Sequence, residues 1–481
     1  MSKVLILNPA FYGIKNFVRT ARWFARSRGR VGRHPDYLAI ATAVLEEAGH
    51  KCKLLDACGT NMPFDQIKKI TEKFKPDIIV SHTTTPSIYN DIKQTAELKT
   101  INDALTILIG AHVSALPKES FEINKKIDII VRGEYDYTLR DIADGKNMKN
   151  IQGTNYRDNS QIKSNTDRPF IEDLNEMPFP AWHHINVHDY FDAGKLYPFI
   201  TMIVGRGCPN RCAFCILPQV LYGRKYRLRS AEKVVDEMEY DLKLFPDLKE
   251  FMFEDDTLTV DKERCRKICN EIFERDLDIT WSGNSRADIA DLELLKLMHK
   301  AGCRMFVVGF EFGCQKVLNS VRKGITIQMM KNFSNACHKA GIKIHGCFMI
   351  GGPGETRETA EMTIKLAGNL KCDTIQISAI TPYPGTEFYD WCLKNGYITA
   401  EDWTEWIDAG EQSTVISYPQ LDKKEILDLV DRGLYESFYF RPSIWLHHFF
   451  TTRDMTDLRR KVKGFLSLLD YRLKKKHKIA K

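Results

Sequence analysis

Three cysteines, Cys208, Cys212 and Cys215, fall in the string GRGCPNRCAFC with the spacing Cys-x3-Cys-x2-Cys. Three thiols this close cannot all pair as disulfides. A structural zinc site wants a fourth Cys or His nearby, and Arg206, Asn210, Arg211 and Phe214 offer none. Three thiolates can instead hold three corners of a four-iron cluster and leave the fourth iron open to a ligand. The flanking sequence fixes where such a loop sits. Residues 198–204, PFITMIV, read as a buried strand, apolar and β-branched. Gly205 and Gly207 break that strand, and Ser230 is a plausible N-cap for a helix over 232–240. The cysteines therefore end the first strand of a strand–helix unit, the place where α/β folds gather their chemistry.

In these residues the chain resembles the radical S-adenosylmethionine (SAM) enzymes, whose cluster motif Cys208, Cys212 and Cys215 match without gap or substitution. The resemblance implies that the open iron of a 4Fe-4S cluster chelates the methionyl group of SAM. An electron from the cluster then cleaves a C–S bond and releases a 5′-deoxyadenosyl radical, with Phe214 beside the cluster. Further strands follow. EFMFEDD (250–256) ends a strand with three carboxylates, of which Asp255 and Asp256 are favoured to accept the ammonium of SAM; the alternative is an acidic loop or helix cap. ITWSGNSR (279–286) is the third strand, and Arg286 at its exit can meet the SAM carboxylate or a substrate anion. Glu311 ends the fourth strand, and the resemblance assigns it the ribose hydroxyls. A carboxylate in that position is costly unless it is paired. The fifth strand, 343–350, leads into Gly-Gly-Pro-Gly-Glu. Ile350, Gly352 and Glu355 match the family's adenine-side motif, and Phe348 replaces its first glycine. A sixth strand, 374–378, leads to Tyr383, a candidate substrate or proton contact. Six such units suit the partial (β/α)6 TIM barrel of the family, open on one side. Cys265 and Cys269, at i and i+4 of a helix, read as buried free cysteines.

The N-terminal third alternates apolar strands (3–7, 52–56, 77–81, 105–109, 127–131) with helices (37–49, 67–74, 88–102), the pattern of a doubly wound parallel, Rossmann-like sheet. No Gly-x-Gly-x-x-Gly follows the first strand, so no dinucleotide is indicated. Ligands of such sheets lie across the C-terminal strand edges. GAHVS (110–114) and VRGEYDYTL (131–139) resemble the cobalamin-binding domain fused ahead of many radical SAM enzymes. That resemblance implies that Thr83, Thr84, Gly110, His112, Ser114, Gly133 and Glu134 contact cobalamin. The Asp-x-His-x-x-Gly motif that supplies a cobalt-ligating histidine elsewhere is absent; His82 and His112 lack its spacing. For His112 a hydrogen-bonded loop histidine remains the plainer reading.

The expected domains are a cobalamin-binding domain (1–150), a proline-rich linker (151–193), a radical SAM domain (194–425) and a C-terminal helical region with a basic tail (426–481). Residues 451–481 carry eleven Lys/Arg and three Asp, so the tail holds +8 of a net +7 and the remaining chain sums to −1. A neutral body argues against nucleic acid, which asks for a basic face on a folded surface. Leu458, Val462, Phe465, Leu466, Leu469 and Leu473 interleave the tail's charges. This is either an amphipathic helix packed on the body or one lying on a membrane surface. No signal peptide and no span of ~18 apolar residues is apparent, and thirteen cysteines suit a reducing cytoplasm. The expected activity is methylation of an unactivated carbon in a lipid or secondary metabolite, with a flavodoxin- or ferredoxin-type reductant. Radical ring formation, ring contraction or oxidative cyclisation on a lipid headgroup or tetrapyrrole is the alternative. A non-catalytic cobalamin or iron–sulfur sensor is the reading from another class.

Overall fold

The computed structural model describes residues 1–14, 17–20, 24–26, 31–159, 161–192, 194–407 and 414–435, with 439 and a few positions between 452 and 466 beyond them. Most of the basic tail, and with it Phe465, Leu469 and Leu473, lies outside the described residues.

Strands β1 (Lys3–Asn8), β2 (Lys51–Asp56), β3 (Ile78–His82), β4 (Leu105–Ile109), β5 (Ile129–Val131), β6 (Thr154–Asp158) and β7 (Gln161–Ser164) form one sheet in the order β2-β1-β3-β4-β5-β6-β7. The first five are parallel, and β6 and β7 join antiparallel. Alternation along β1 explains why both faces are covered. Val4 and Ile6 enter the main core, whereas Leu5 and Leu7 enter a second cluster with Ile67, Ile79 and Leu98. Helix α1 (Asp36–Glu47) is buried on every side from Asp36 to Leu45, beyond the single face of Leu38, Ala41, Val44 and Leu45 that its periodicity predicts, and Gly49 closes it at φ +84°. The sheet runs past residue 150: β6 and β7 pair where the prolines suggested an extended connector. They pair because Ile129, Ile130 and Val131 leave an edge that Thr154, Asn155 and Tyr156 cover.

The second sheet is β8 (Phe199–Met202), β9 (Glu250–Phe253), β10 (Trp281–Ser285), β11 (Cys303–Glu311), β12 (Lys343–Ile350) and β13 (Thr374–Ala379), parallel and in sequential order. This is the six-stranded partial barrel. On β12, Ile344, Gly346, Phe348 and Ile350 are buried, while Lys343, His345, Cys347 and Met349 on the other face are half-buried. Cys265 and Cys269 are buried free thiols on the helix Lys262–Glu274. One continuous apolar core includes Val4, Ile6 and Tyr37 of the first unit and Ile200, Phe306 and Ile377 of the second.

Candidate active site

The cluster loop is shaped by strand pairing, a glycine and a glutamine. Gly205 and Arg206 pair antiparallel with Leu228 and Arg227. Gly207 takes φ +87°, and a Cβ there would lie 2.2 Å from the carbonyl oxygen of Lys225, so only glycine fits. The Gln219 side-chain amide donates to the carbonyls of Cys212, Ala213 and Cys215 at 3.3, 3.2 and 2.8 Å. Asn210 Nδ2 donates to Cys208 Sγ at 3.3 Å. None of the three cysteines is in a disulfide; Cys212 is buried, and Cys208 and Cys215 are half-buried. Burial pushes the Cys212 thiol up, against the opposing charges of Lys323 and Arg286. A coordinating metal deprotonates such a thiol outright.

The carboxylates at the end of β9 divide by what they touch. Asp255 is fully buried; it accepts from Val204 N at 2.7 Å and from the Tyr226 hydroxyl at 2.9 Å. Burial raises its carboxyl to about 6, against Arg264 and these two donors. Asp256 accepts from Gly207 N at 2.9 Å. Both thus brace the backbone that carries the cysteines. Glu254 instead accepts from Asn284 Nδ2 at 3.1 Å and lies 3.7 Å from Arg33. Arg286 binds Asp288 at 2.9 and 3.0 Å and the Lys323 carbonyl at 3.1 Å.

Glu311 sits in a left-handed conformation, φ +68°, where the register with β12 slips between Gly309 and Glu311. A non-glycine residue there is strained, and strain of this kind collects at functional sites. The bulge turns the carboxylate back over Gly309, whose missing side chain leaves the room: a Cβ would lie 2.2 Å from Glu311 Oε1. Lys323, buried, pairs with that carboxylate at 2.7 Å. Glu355, also buried, accepts from Gly351 N at 2.5 Å and Gly352 N at 3.0 Å, and burial raises its carboxyl to about 7. It therefore locks the turn after Ile350 from inside. Gly352 packs against Val317 and Phe312, where a Cβ would clash at 2.6 and 3.0 Å. Phe214 is half-buried on the main core. Tyr383 bridges that core and a small cluster of Phe11, Ile14, Phe17, Cys58 and Ile407, and burial pushes its hydroxyl up to about 12.

At the C-terminal edge of the first sheet, Thr83 donates to the Ile109 carbonyl at 2.8 Å, and Thr84 shares a 2.6 Å hydrogen bond with Ser87. Both hydroxyls are buried and used internally. Gly110, at φ +115°, approaches the Thr83 carbonyl so closely that a Cβ would fall 2.4 Å away. Ser114 donates to the Gly110 carbonyl at 2.7 Å and accepts from Gly133 N at 3.1 Å. His112 is fully buried with the edge of Trp403 at 5.0 Å; burial pushes its imidazole down to about 3, and its Nε2 has no hydrogen-bond partner. Glu134 faces the other unit. It accepts from Arg206 at 2.8 Å, Arg227 at 2.7 Å and Ile171 N at 2.8 Å, while Asp136 takes the rest of Arg206 at 2.6 Å. All four side chains of this network are buried. It ties the cobalamin-type edge directly to the residue two before Cys208. Sequence reading missed Gln219, Lys323 and the arginine half of this network. None lies in a motif; only Lys323, flanked by Val321 and Ile325, carried a faint signal as a lysine between apolar positions.

Residues 202–367 match the model of the radical SAM superfamily and residues 33–143 that of the B12 binding domain. An uncharacterized methyltransferase of Pyrococcus horikoshii is 30% identical over 471 residues, 97% of this chain and 98% of the relative. The chain belongs to the cobalamin-dependent radical SAM enzymes. The anaerobic magnesium-protoporphyrin IX monomethyl ester cyclase of Rubrivivax gelatinosus is 29% identical over 367 residues, 74% of this chain and 65% of the relative. The fold matches the radical SAM methyltransferase TsrM from Kitasatospora setae, solved with cobalamin and a [4Fe-4S] cluster, at a TM-score of 0.70 and 17% identity over 98% of this chain and 99% of that one. The residues fit a cluster and a cobalamin. Three cysteines outside any disulfide on one braced loop suit a cluster, and a buried His112 Nε2 with a hydrogen bond still to make stands at the C-terminal edge of the first sheet.

Proposed function

We propose that this protein is a methylase that places a methyl group on an unactivated carbon of a lipid or secondary metabolite. The observation that carries the reading is the Glu134–Arg206–Asp136 network, which holds the cluster loop against the C-terminal edge of the first sheet. When bound, the cluster supplies the electron that cleaves SAM, and cobalamin supplies a carrier for the methyl group. The chain's own residues do the rest. Cys208, Cys212 and Cys215 would hold the irons, and Glu311, Arg286 and the turn locked by Glu355 would receive SAM. The edge residues Gly110, His112, Ser114 and Gly133 would receive the corrin, Thr83 and Thr84 contributing backbone because their hydroxyls are committed.

Phe17, at the start of the hairpin Phe17–Arg19/Phe24–Arg26, shares a small apolar cluster with Tyr383. Tyr383 and Phe17 would touch the substrate. A lipid substrate is supported by Met455, Val462 and Leu466, which are 65%, 46% and 56% exposed beside a basic tail, the makeup of a membrane-surface helix. No helix among the described residues is long and apolar enough to cross a membrane.

The test is anaerobic reconstitution with iron, sulfide and hydroxocobalamin, then SAM and a strong reductant, with both nucleoside products quantified. S-adenosylhomocysteine together with 5′-deoxyadenosine is the expected result. Deoxyadenosine alone, in the presence of a turned-over substrate, would place the protein with non-methylating radical enzymes. Cys212→Ala is expected to abolish both products.

A further inference from the structure

At the C-terminal end of α1, two histidines and a glutamate converge. Glu46 lies in the last turn of α1. His183 and His184 lie in the short turn Trp182–His184 of the bridge. Glu46 Oε1 is 2.8 Å from His184 Nε2, and Oε2 is 3.2 Å from His183 Nε2. The two rings lie 4.4 Å apart at 39°. One donor atom from each residue falls within 4.8 Å of the other two. Among the described residues no lysine or arginine is paired with Glu46; the other titratable groups that feel its charge are Cys52 and Tyr240.

The arrangement is held in place from behind. Trp182 is fully buried, and Ala181 N donates to the Ala39 carbonyl of α1 at 3.0 Å. The turn that carries both histidines is therefore hydrogen-bonded to the helix that carries the glutamate. Little chain entropy remains to be lost when the three donors close on an ion. Side-chain exposures of 50%, 16% and 28% for His183, His184 and Glu46 leave a way in and room for a water as fourth ligand.

We propose that Glu46, His183 and His184 form a binding site for a divalent first-row metal ion, zinc first, that staples the bridge to the cobalamin-binding unit. Two imidazoles and a carboxylate are the donor set that zinc accepts with one position left for water. Tetrahedral zinc with bonds of about 2.0–2.1 Å sets its ligands roughly 3.3 Å apart. From the single oxygen Glu46 Oε1, His183 Nε2 at 3.4 Å already stands at that spacing, and His184 Nε2 at 2.8 Å has to open by roughly half an ångström to admit the ion. Magnesium and calcium prefer all-oxygen shells and are excluded by the imidazoles.

The test uses the holoenzyme with its cluster and cobalamin in place, dialysed against a weak chelator and then against zinc alone. The wild type is expected to retain one zinc beyond any bound by His183→Ala, a variant at a half-exposed position that leaves the fold intact. Loss of a metal ligand should weaken retention by more than about tenfold, the least that loss of an outer-shell partner costs. Zinc K-edge absorption separates this site from stray thiols, because nitrogen and oxygen neighbours lie at about 2.0–2.1 Å and sulfur at about 2.3 Å. Equal zinc in wild type and His183→Ala, or a sulfur shell around the zinc that His183→Ala removes, would overturn the proposal.

Discussion

Glu355 is a carboxyl whose surroundings oppose each other. Burial favours its neutral form, and the amides of Gly351 and Gly352 favour its charged form; burial wins and lifts it from 4.5 to about 7. A carboxyl raised in the folded state contributes stability that is fully present below its unfolded value and is lost as pH rises through its folded value. For Glu355 the window runs from about pH 4.5 to about pH 7. A shift of this size amounts to roughly 3 kcal/mol. Glu355→Gln keeps an acceptor for the two amides and cannot ionise. Thermal melts of both proteins from pH 5 to pH 8 are expected to show wild type losing ground to the variant as pH rises. A constant gap across that range would mean that Glu355 is already charged in the folded protein.

At the scale of the element, two glycines separate the jobs of metal binding and SAM binding. Gly207→Ala drives a Cβ into the Lys225 carbonyl at a positive φ, and backbone cannot yield cheaply. Gly309→Ala instead meets the far ends of Glu311 and Lys323, which can swing away. The first variant is expected to lose cluster iron after reconstitution. The second is expected to keep its iron and bind SAM roughly tenfold more weakly, because the displaced carboxylate loses a charge-assisted contact of about 1.5–3 kcal/mol. Iron content and equilibrium SAM binding, measured on both, would reverse the assignment if Gly309→Ala lost its iron. Such elements also mark what the sequence could tell. Strands β1–β5 and β8–β13 were legible because each is a short apolar run closed by turn residues, and the cysteines because their spacing is itself chemistry. The bulge at Glu311 was not legible, since one extra residue in a strand leaves the apolar pattern intact. Nor were β6 and β7, whose residues Thr154–Asp158 and Gln161–Ser164 are mostly polar and take their order from the edge they cover. For Asp255 and Asp256, favoured from the sequence for the SAM ammonium, a sequence shows the charge and not the backbone amide that each carboxylate accepts from.

At the scale of the molecule, two sheets that could have been separate domains share one core and one buried ion network. Glu134 belongs to the first and Arg206 and Arg227 to the second. Desolvating such charges is expensive, so the network repays its cost only while every member is paired. Its position explains why it is there. Arg206 is the last side chain before Gly207 and Cys208, so a slip of one unit against the other would carry the cluster loop away from the corrin edge. Glu134→Ala leaves Arg206 with Asp136 and leaves Arg227 with the carbonyls of Ile171 and Tyr222 and, among the described residues, no carboxylate partner, and the loss is expected to cost about 3–5 kcal/mol. Because the apolar core is continuous, the wild type is expected to unfold in one calorimetric transition, and the variant to unfold at lower temperature. If the network sets the docking of the units, Glu134→Ala will also bind cobalamin and load iron yet yield less S-adenosylhomocysteine for each deoxyadenosine formed. An unchanged product ratio in a merely less stable variant would reduce the network to a structural strut.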